Sequence, residues 1–336
     1  MRISYAPWGE TLGELVKAGA DAESAGFEKV WVSELHRSAF VPTAAIAQAT
    51  SSVEVGTAIA LAFVRSPLTI ALSALDLDEL SGGRFILGLG TGVRRLNEDW
   101  HHARFGQAAP HLRETVALVR RLVAEAHLGK PLEFEGEWER IRMRGFQRPF
   151  EPARARIPIY LAAVGEVMTR LAGEVGDGWL GHELGSSAYL TEHVIPNLDR
   201  GLRRAGRSRE GLEVIPSACC VIDRDGRQAK RWAAGLVAFY ATVRTYEPFF
   251  AFHGFGGEAA AIHERFRAGD EQGMIDACPD EMVDALALAG TPQEVSRRLG
   301  EYEGWADGVK LSPPTHLVPA EVTRHAQAGI LEWLGP

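Results

Sequence analysis

Short apolar runs rich in β-branched and aromatic residues alternate along the chain with longer stretches in which apolar residues recur every three or four positions. The runs Arg2–Ala6, Lys29–Glu34, Val53–Ile59, Arg84–Gly88, Ile157–Ala162, Gly178–Gly181, Glu213–Ile222 and Gly308–Ser312 predict eight strands. Thr11–Ala25, Pro67–Leu80, His111–Ala126, Val167–Val175, Tyr189–Ala205, Arg227–Val243 and Ala320–Leu334 carry the helical spacing. Strand followed by helix, repeated, means parallel strands joined by crossovers, and the near-uniform apolar character of the strands fits sheets covered on both faces. Eight such units predict an α/β protein of the (β/α)8 TIM-barrel class rather than an open doubly wound sheet.

Two segments break the repeat. Residues 131–148, beginning "PLEFEGEWERIRMRGF", alternate and turn like a β-hairpin inserted after the fourth helix. Residues 245–290 are glycine- and aromatic-rich around "FFAFHGFGG" and then helical. In a barrel the loops after the strands build the site, so this second insert is expected to form a lid or substrate wall. With 336 residues, the chain is expected to form one domain, residues 1–336, with these two inserts.

Composition narrows the function. The apolar fraction of 46% and charged fraction of 24% suit a globular protein with a full core. A net charge of −8 argues against nucleic acid or an anionic membrane as the main partner, and for a small molecule. Cys219 and Cys220 are adjacent and no disulfide framework is evident, which fits a reducing cytoplasm. No export leader and no membrane-spanning apolar run is expected.

In a barrel, chemistry belongs to the residues just past each strand. After Lys29–Glu34 stand Leu35 and His36, so Glu34 and His36 are candidate acid/base groups. After Arg84–Gly88 comes "GLGTGVRR", in which Gly88, Gly90 and Gly92 evoke a dinucleotide fingerprint, but Val93 and Arg95 stand where its third glycine belongs. Glycines that let a backbone approach a ligand are the alternative. After Ile157–Ala162 comes the loop Ala163–Val167, where Gly165 precedes a helix whose free amides and dipole make a phosphate seat. Together the two loops suggest a phosphorylated cofactor. His182, alone at a strand end, is a further candidate. Adjacent His101 and His102 point apart on a helix and no His-Glu-x-x-His run occurs, so no metal site is expected. Nor does any Gly-x-Ser-x-Gly elbow suggest a covalent nucleophile. Arg140, Arg142 and Arg144 share one face of the hairpin strand, either simply solvated or guiding an anionic cofactor tail.

"AESAGFEKVWVSELH" (Ala22–His36), "EVGTAIALAFVRSPLTIA" (Glu54–Ala71), "LSGGRFILGLGTG" (Leu80–Gly92) and "IYLAAVGEVMTRLAGEVGDGWL" (Ile159–Leu180) follow one another as in the luciferase-like monooxygenase and oxidoreductase superfamily, the flavin- and deazaflavin-dependent TIM barrels. The sequence resembles this family over about its first 200 residues. With the "FFAFHGFGG" insert it most resembles the coenzyme F420 branch. The resemblance implies a cis peptide at Ala58–Ile59, with Ala58, Ile59 and Ala60 against the cofactor ring. It also implies a cofactor phosphate against Gly90, Thr91 and Gly92 and against Ala163, Val164, Gly165, Glu166 and Val167. The family commonly has Ser-Glu-His-His where this chain has Ser33, Glu34, Leu35 and His36, so the histidine that often acts on the reacting centre is absent here. Val93 stands where sugar-phosphate dehydrogenases of the superfamily carry an acid, which argues against a sugar phosphate substrate.

The expected function is hydride transfer between coenzyme F420 and a mainly apolar organic substrate under a lid of Phe249, Phe250, Phe252 and Phe255. The alternatives are an FMN-dependent monooxygenase served by a reductase partner, and a non-catalytic flavin-binding protein. The resemblance implies a homodimer or higher homo-oligomer.

Overall fold

The computed structural model describes residues 2–335. The chain divides into two compact units. One comprises residues 29–180 and 196–213; the other comprises the segment up to Glu28, residues 181–195 and the segment from Val214 onward.

In the first unit the strands Lys29–Val32, Glu54–Thr57, Phe85–Gly90, Ile159–Ala162 and Gly178–Leu180 lie in that order, each parallel to the next. Helices connect them, and the sequence shows why they start where they do. Ser66 caps the helix Pro67–Leu80 by accepting from the Thr69 amide at 3.2 Å, and Pro67 has no N–H to leave unpaired. That helix buries Ile70, Ala71, Ala74 and Leu75. A short extra strand, Ala60–Leu61, pairs with Leu89–Gly90. The hairpin insert is present as Leu132–Glu135 against Arg140–Met143, antiparallel. Its arginines are spent within the hairpin: Arg140 and Arg142 pair with Glu135, and Arg144 with Glu133.

In the second unit the parallel order is Arg2–Tyr5, Gly308–Ser312, Ser217–Ile222, Leu288–Gly290. The predicted strand Glu213–Ile222 is two pieces, Glu213–Ile215 and Ser217–Ile222, broken at Pro216, which has no amide to donate. The strand Leu288–Gly290 escaped the sequence reading because three residues carry no period.

The aromatic insert departs from expectation. Its helices are Glu247–Phe252, Gly256–Arg267, Glu271–Asp276 and Asp280–Leu286, and it ends in the strand Leu288–Gly290. Phe249 and Phe250 are buried in this unit's core with Val237 and Met282, and Phe255 packs against the same core. Phe252 sits edge-on to Tyr189, His193 and His253. The four phenylalanines are thus packing residues rather than a free lid, because burying aromatic area is worth more than presenting it to solvent.

Among the described residues, no helix is long and apolar enough to cross a membrane, and no group of three or more His, Cys, Asp or Glu side chains is placed to hold a metal ion.

Candidate active site

The candidate site in the first unit is built around one carboxylate. Strand Lys29–Val32 ends and the chain bends, leaving Leu35 half exposed and His36 exposed while Glu34 turns inward. The Glu34 side chain is 7% exposed and ion-pairs with Arg65. It also accepts hydrogen bonds from the amides of Leu61 at 2.8 Å and Ala39 at 3.4 Å. Burial alone would raise its pKa, but the Arg65 guanidinium and the two amides outweigh burial and hold the group below the usual carboxylate range. Glu34 is therefore a fixed anion at neutral pH.

The segment it grips is the one the family resemblance singled out. The amide of Ala58 donates to Val32 O at 2.7 Å, the Ala58–Ile59 bond is cis, and Ala60–Leu61 returns to pair with Leu89–Gly90. Ala62 N then donates to Gly90 O at 2.9 Å. Beneath this, Thr57 Oγ1 donates to Gly88 O at 2.7 Å and accepts from Gly88 N at 2.9 Å.

These contacts explain the glycine run. A Cβ on Gly88 would collide with the Thr57 carbonyl oxygen, one on Gly90 would lie 2.9 Å from Ile59 Cγ1, and Gly92 has φ +62° with Leu61 Cδ2 2.7 Å from where its Cβ would be. The glycines let the strand approach the Thr57–Leu61 segment, a role the protein itself requires. Beyond them, Asn97 is fully buried and its amide nitrogen donates to Thr91 O at 2.8 Å and Val93 O at 3.0 Å. With those carbonyls turned toward Asn97, the amides of Thr91, Gly92 and Val93 have no partner among the described residues. Three unpaired amides in an exposed loop suit an anion.

The second loop follows strand Ile159–Ala162. Ala163 is buried and its carbonyl accepts from Trp179 Nε1 at 2.9 Å. Gly165 is the N-cap of helix Glu166–Val175 and offers no side chain to the first-turn amides. Its φ of −82° suits any residue, and a Cβ there would meet nothing within 4 Å. Neither backbone conformation nor crowding accounts for this glycine, unlike Gly88, Gly90 and Gly92. Glu166, mostly exposed, leans on Arg170 at 3.5 Å, and Val167 is exposed.

His182 belongs to the second unit. Its Nδ1 accepts from the Leu184 amide at 3.2 Å, so the neutral ring carries its proton on Nε2. The ring stands edge-on to Tyr240, centroids 4.3 Å apart, and tilted against Tyr246 at 4.4 Å. Burial, with Lys310 and His316 adding repulsion, pushes its pKa down to about 3. The imidazole is neutral through the physiological range.

The structure thus brings Glu34, Ala58, Ile59, Ala60, Gly90, Thr91 and Gly92 together in one unit, with Ala163–Val167 on the next strand of the same sheet. It adds Arg65, Thr57 and Asn97, which the sequence reading missed. Arg65 announced itself only as a cation before a helix-starting Ser-Pro. Asn97 was a lone amide five residues past Gly92, with nothing local to mark it as buried.

Parallel βα units whose strand ends present unpaired amides define an α/β protein with anion-receptive loops. The chain belongs to the luciferase-like monooxygenase family, whose model matches residues 2–307. It is 35% identical over 306 residues to "Uncharacterized protein Rv1360" of Mycobacterium tuberculosis, covering 89% of each chain. To "Putative coenzyme F420-dependent oxidoreductase Rv3520c" of the same organism it is 31% identical over 325 residues, covering 90% of this chain and 91% of that one. Its structure resembles the coenzyme F420 dependent tetrahydromethanopterin reductase from Methanopyrus kandleri, with a TM-score of 0.82, 22% identity and 99% of each chain covered. That likeness establishes the fold as TIM-barrel-like, as the βα repeat predicted.

Proposed function

We propose that this protein is an F420-dependent oxidoreductase that moves a hydride between the deazaflavin and a mainly apolar organic substrate. The observation that carries the reading is the set of unpaired amides at Thr91, Gly92 and Val93, in the loop after the strand that pairs with Ala60–Leu61. Full-length likeness to a relative whose name includes coenzyme F420 supports it. When bound, the deazaflavin would supply two-electron hydride chemistry; the protein supplies binding, orientation and a dry site.

In this proposal the amides of Thr91, Gly92 and Val93 and the uncapped first turn at Gly165, Glu166 and Val167 hold the phosphate. Gly165 contributes by having no side chain in the open space before its helix. Glu34 is a positioning residue: locked as an anion by Arg65, it fixes the amide of Leu61 and so the segment Ala58–Ala60 that faces the ring. His182 acts as a neutral hydrogen-bond donor through Nε2. His36 is exposed just past the end of the strand Lys29–Val32. The proposal includes a single luciferase-like domain acting in the cytoplasm as a homo-oligomer, which light scattering on the purified protein would check.

The test is a parallel binding titration of the purified protein with coenzyme F420, FMN and a nicotinamide nucleotide. F420 should bind at least about ten-fold more tightly than the others, a difference of about 1.4 kcal/mol. Preferred binding of FMN, with substrate-dependent oxygen uptake in the presence of reduced FMN, would replace this reading with a monooxygenase.

A further inference from the structure

Two lysines are buried inside strands, and they are treated differently. Lys29 is 6% exposed, ion-pairs with Glu54 and lies 3.5 Å from Glu213. Lys310, 5% exposed at the middle of strand Gly308–Ser312 in the second unit, makes no hydrogen bond or ion pair through its ammonium among the described residues. Burial pushes the Lys310 pKa down, so its charged form gains from any oxygen acceptor brought to it. Evolution of a plain core would place an apolar residue there, as at the neighbouring Val309 and Leu311.

The surroundings of Lys310 are polar and incompletely satisfied. In register it is flanked by Ser4 and Ser217. The hydroxyl of Ser217 is committed to Gly181 O at 2.8 Å. Ser312, two residues on and therefore on the same face at the carboxyl end of the strand, is 3% exposed, and its Oγ has no partner. Glu183 stands beside the same strand end: its carbonyl oxygen accepts from the Cys219 amide at 2.8 Å, and Cys219 is in register with Ser312. No ion pair joins Glu183 to Lys310, and the Glu183 carboxylate accepts no hydrogen bond among the described residues. Flat rings surround these groups. His182 packs on Tyr240 and Tyr246, and His316 stacks on Phe239 with centroids 3.9 Å apart and lies 5.6 Å from Tyr240.

We propose that Lys310 and Glu183 form a substrate site for a hydroxyl or carbonyl oxygen carried on a flat ring. A hydroxyl oxygen accepts from the Lys310 ammonium while its proton is donated to Glu183; a carbonyl oxygen accepts from Lys310 and Ser312 together. Charge decides the class. A carboxylate or phosphate would bring a further acidic group beside Glu183, whereas a neutral oxygen can accept from Lys310 without that repulsion. The aromatic walls set the flat shape. This names the polar group of the substrate in the function proposed above and rests on that reading only for the word substrate; the binding itself needs no cofactor.

The test uses the full chain without cofactor and three probes of similar size: 4-hydroxyacetophenone, 4-ethylbenzoate and 4-ethyltoluene. The expected result is binding of 4-hydroxyacetophenone about ten-fold or more tighter than either other probe, since leaving buried polar groups unpaired is what rejects the hydrocarbon. Lys310→Met, which keeps length and removes charge, should abolish that preference, and Glu183→Gln should weaken 4-hydroxyacetophenone several-fold. In the wild-type protein, nuclear Overhauser contacts from the probe ring to Tyr240 and Tyr246 give a reading that needs no variant. Equal affinity for the oxygenated probe and the hydrocarbon, tighter binding of the carboxylate, or contacts elsewhere would each overturn the proposal. F420 titration of the same samples separates the two readings: cofactor binding without the probe preference sinks only this inference, and the probe preference without cofactor binding sinks only the proposed cofactor.

Discussion

The Glu34 carboxylate accepts a hydrogen bond from the Leu61 amide at 2.8 Å, joining the end of one strand to the segment just past the cis Ala58–Ile59 bond. Arg65, four residues beyond Leu61, closes the arrangement with its guanidinium on the same carboxylate. One buried ion pair therefore fixes the piece of backbone assigned above to the cofactor ring.

Breaking that pair from the cation side should be costly. Arg65→Met leaves a buried carboxylate unpaired, and the expected loss of stability is about 3 kcal/mol, measured by urea denaturation. Glu34→Gln keeps an acceptor for the Leu61 amide and should lose less stability while weakening F420 binding. Wild-type denaturation for Arg65→Met would show that the pair holds nothing in place.

The two loop glycines should respond differently to the same change. Gly92→Val forces a β-branched residue to a φ of +62° and into Leu61, which should destabilise the protein by about 1–3 kcal/mol whatever its effect on ligands. Gly165→Val meets open space at an ordinary φ, so its melting temperature should stay within a degree or two of wild type while F420 affinity falls about ten-fold or more. Undiminished affinity in Gly165→Val would remove that helix start from the cofactor site.

Thr57 is the hinge of the glycine strand. Thr57→Val keeps its shape but removes both hydrogen bonds to Gly88, leaving a buried N–H and C=O short of partners, with an expected cost of about 1–3 kcal/mol in thermal or chemical unfolding. Stability equal to wild type would mean that water or a shift of the strand replaces both bonds.

Acid should destabilise the fold through His182. Its pKa in the folded chain is about 3, below the ordinary imidazole value of 6.5, so the unfolded chain binds the extra proton across that interval. Stability is therefore full above about pH 6.5 and falls as the pH drops toward 3. His253, half-buried and near His193, has its pKa pushed down to about 4 and acts in the same sense. Melting temperatures between pH 7 and 4 should fall less steeply in His182→Asn than in wild type, with the remaining slope shared by His253. Identical slopes would place the acid sensitivity elsewhere.

The βα repeat, the eight principal strands, the hairpin at 131–148 and the glycine loops were legible because each depends on local periodicity and turn chemistry. Local signals also marked the strand end at Glu34 as the place to look. What they left open was which groups stand next to which. Phe249 and Phe250 looked like a lid in one dimension, yet neighbouring helices bury them; the crowding of Gly88 by the Thr57 carbonyl and of Gly90 by the Ile59 side chain shows only in three dimensions. Lys310 was visible all along as a lysine within "GVKLS", but only its burial, with no hydrogen bond or ion pair to its side chain among the described residues, makes it more than an interruption. Sequence determines periodicity, and with it the class of fold. Pairing, burial and the state of each charge arise from contacts between residues tens to hundreds of positions apart, and those were decided by the tertiary structure alone.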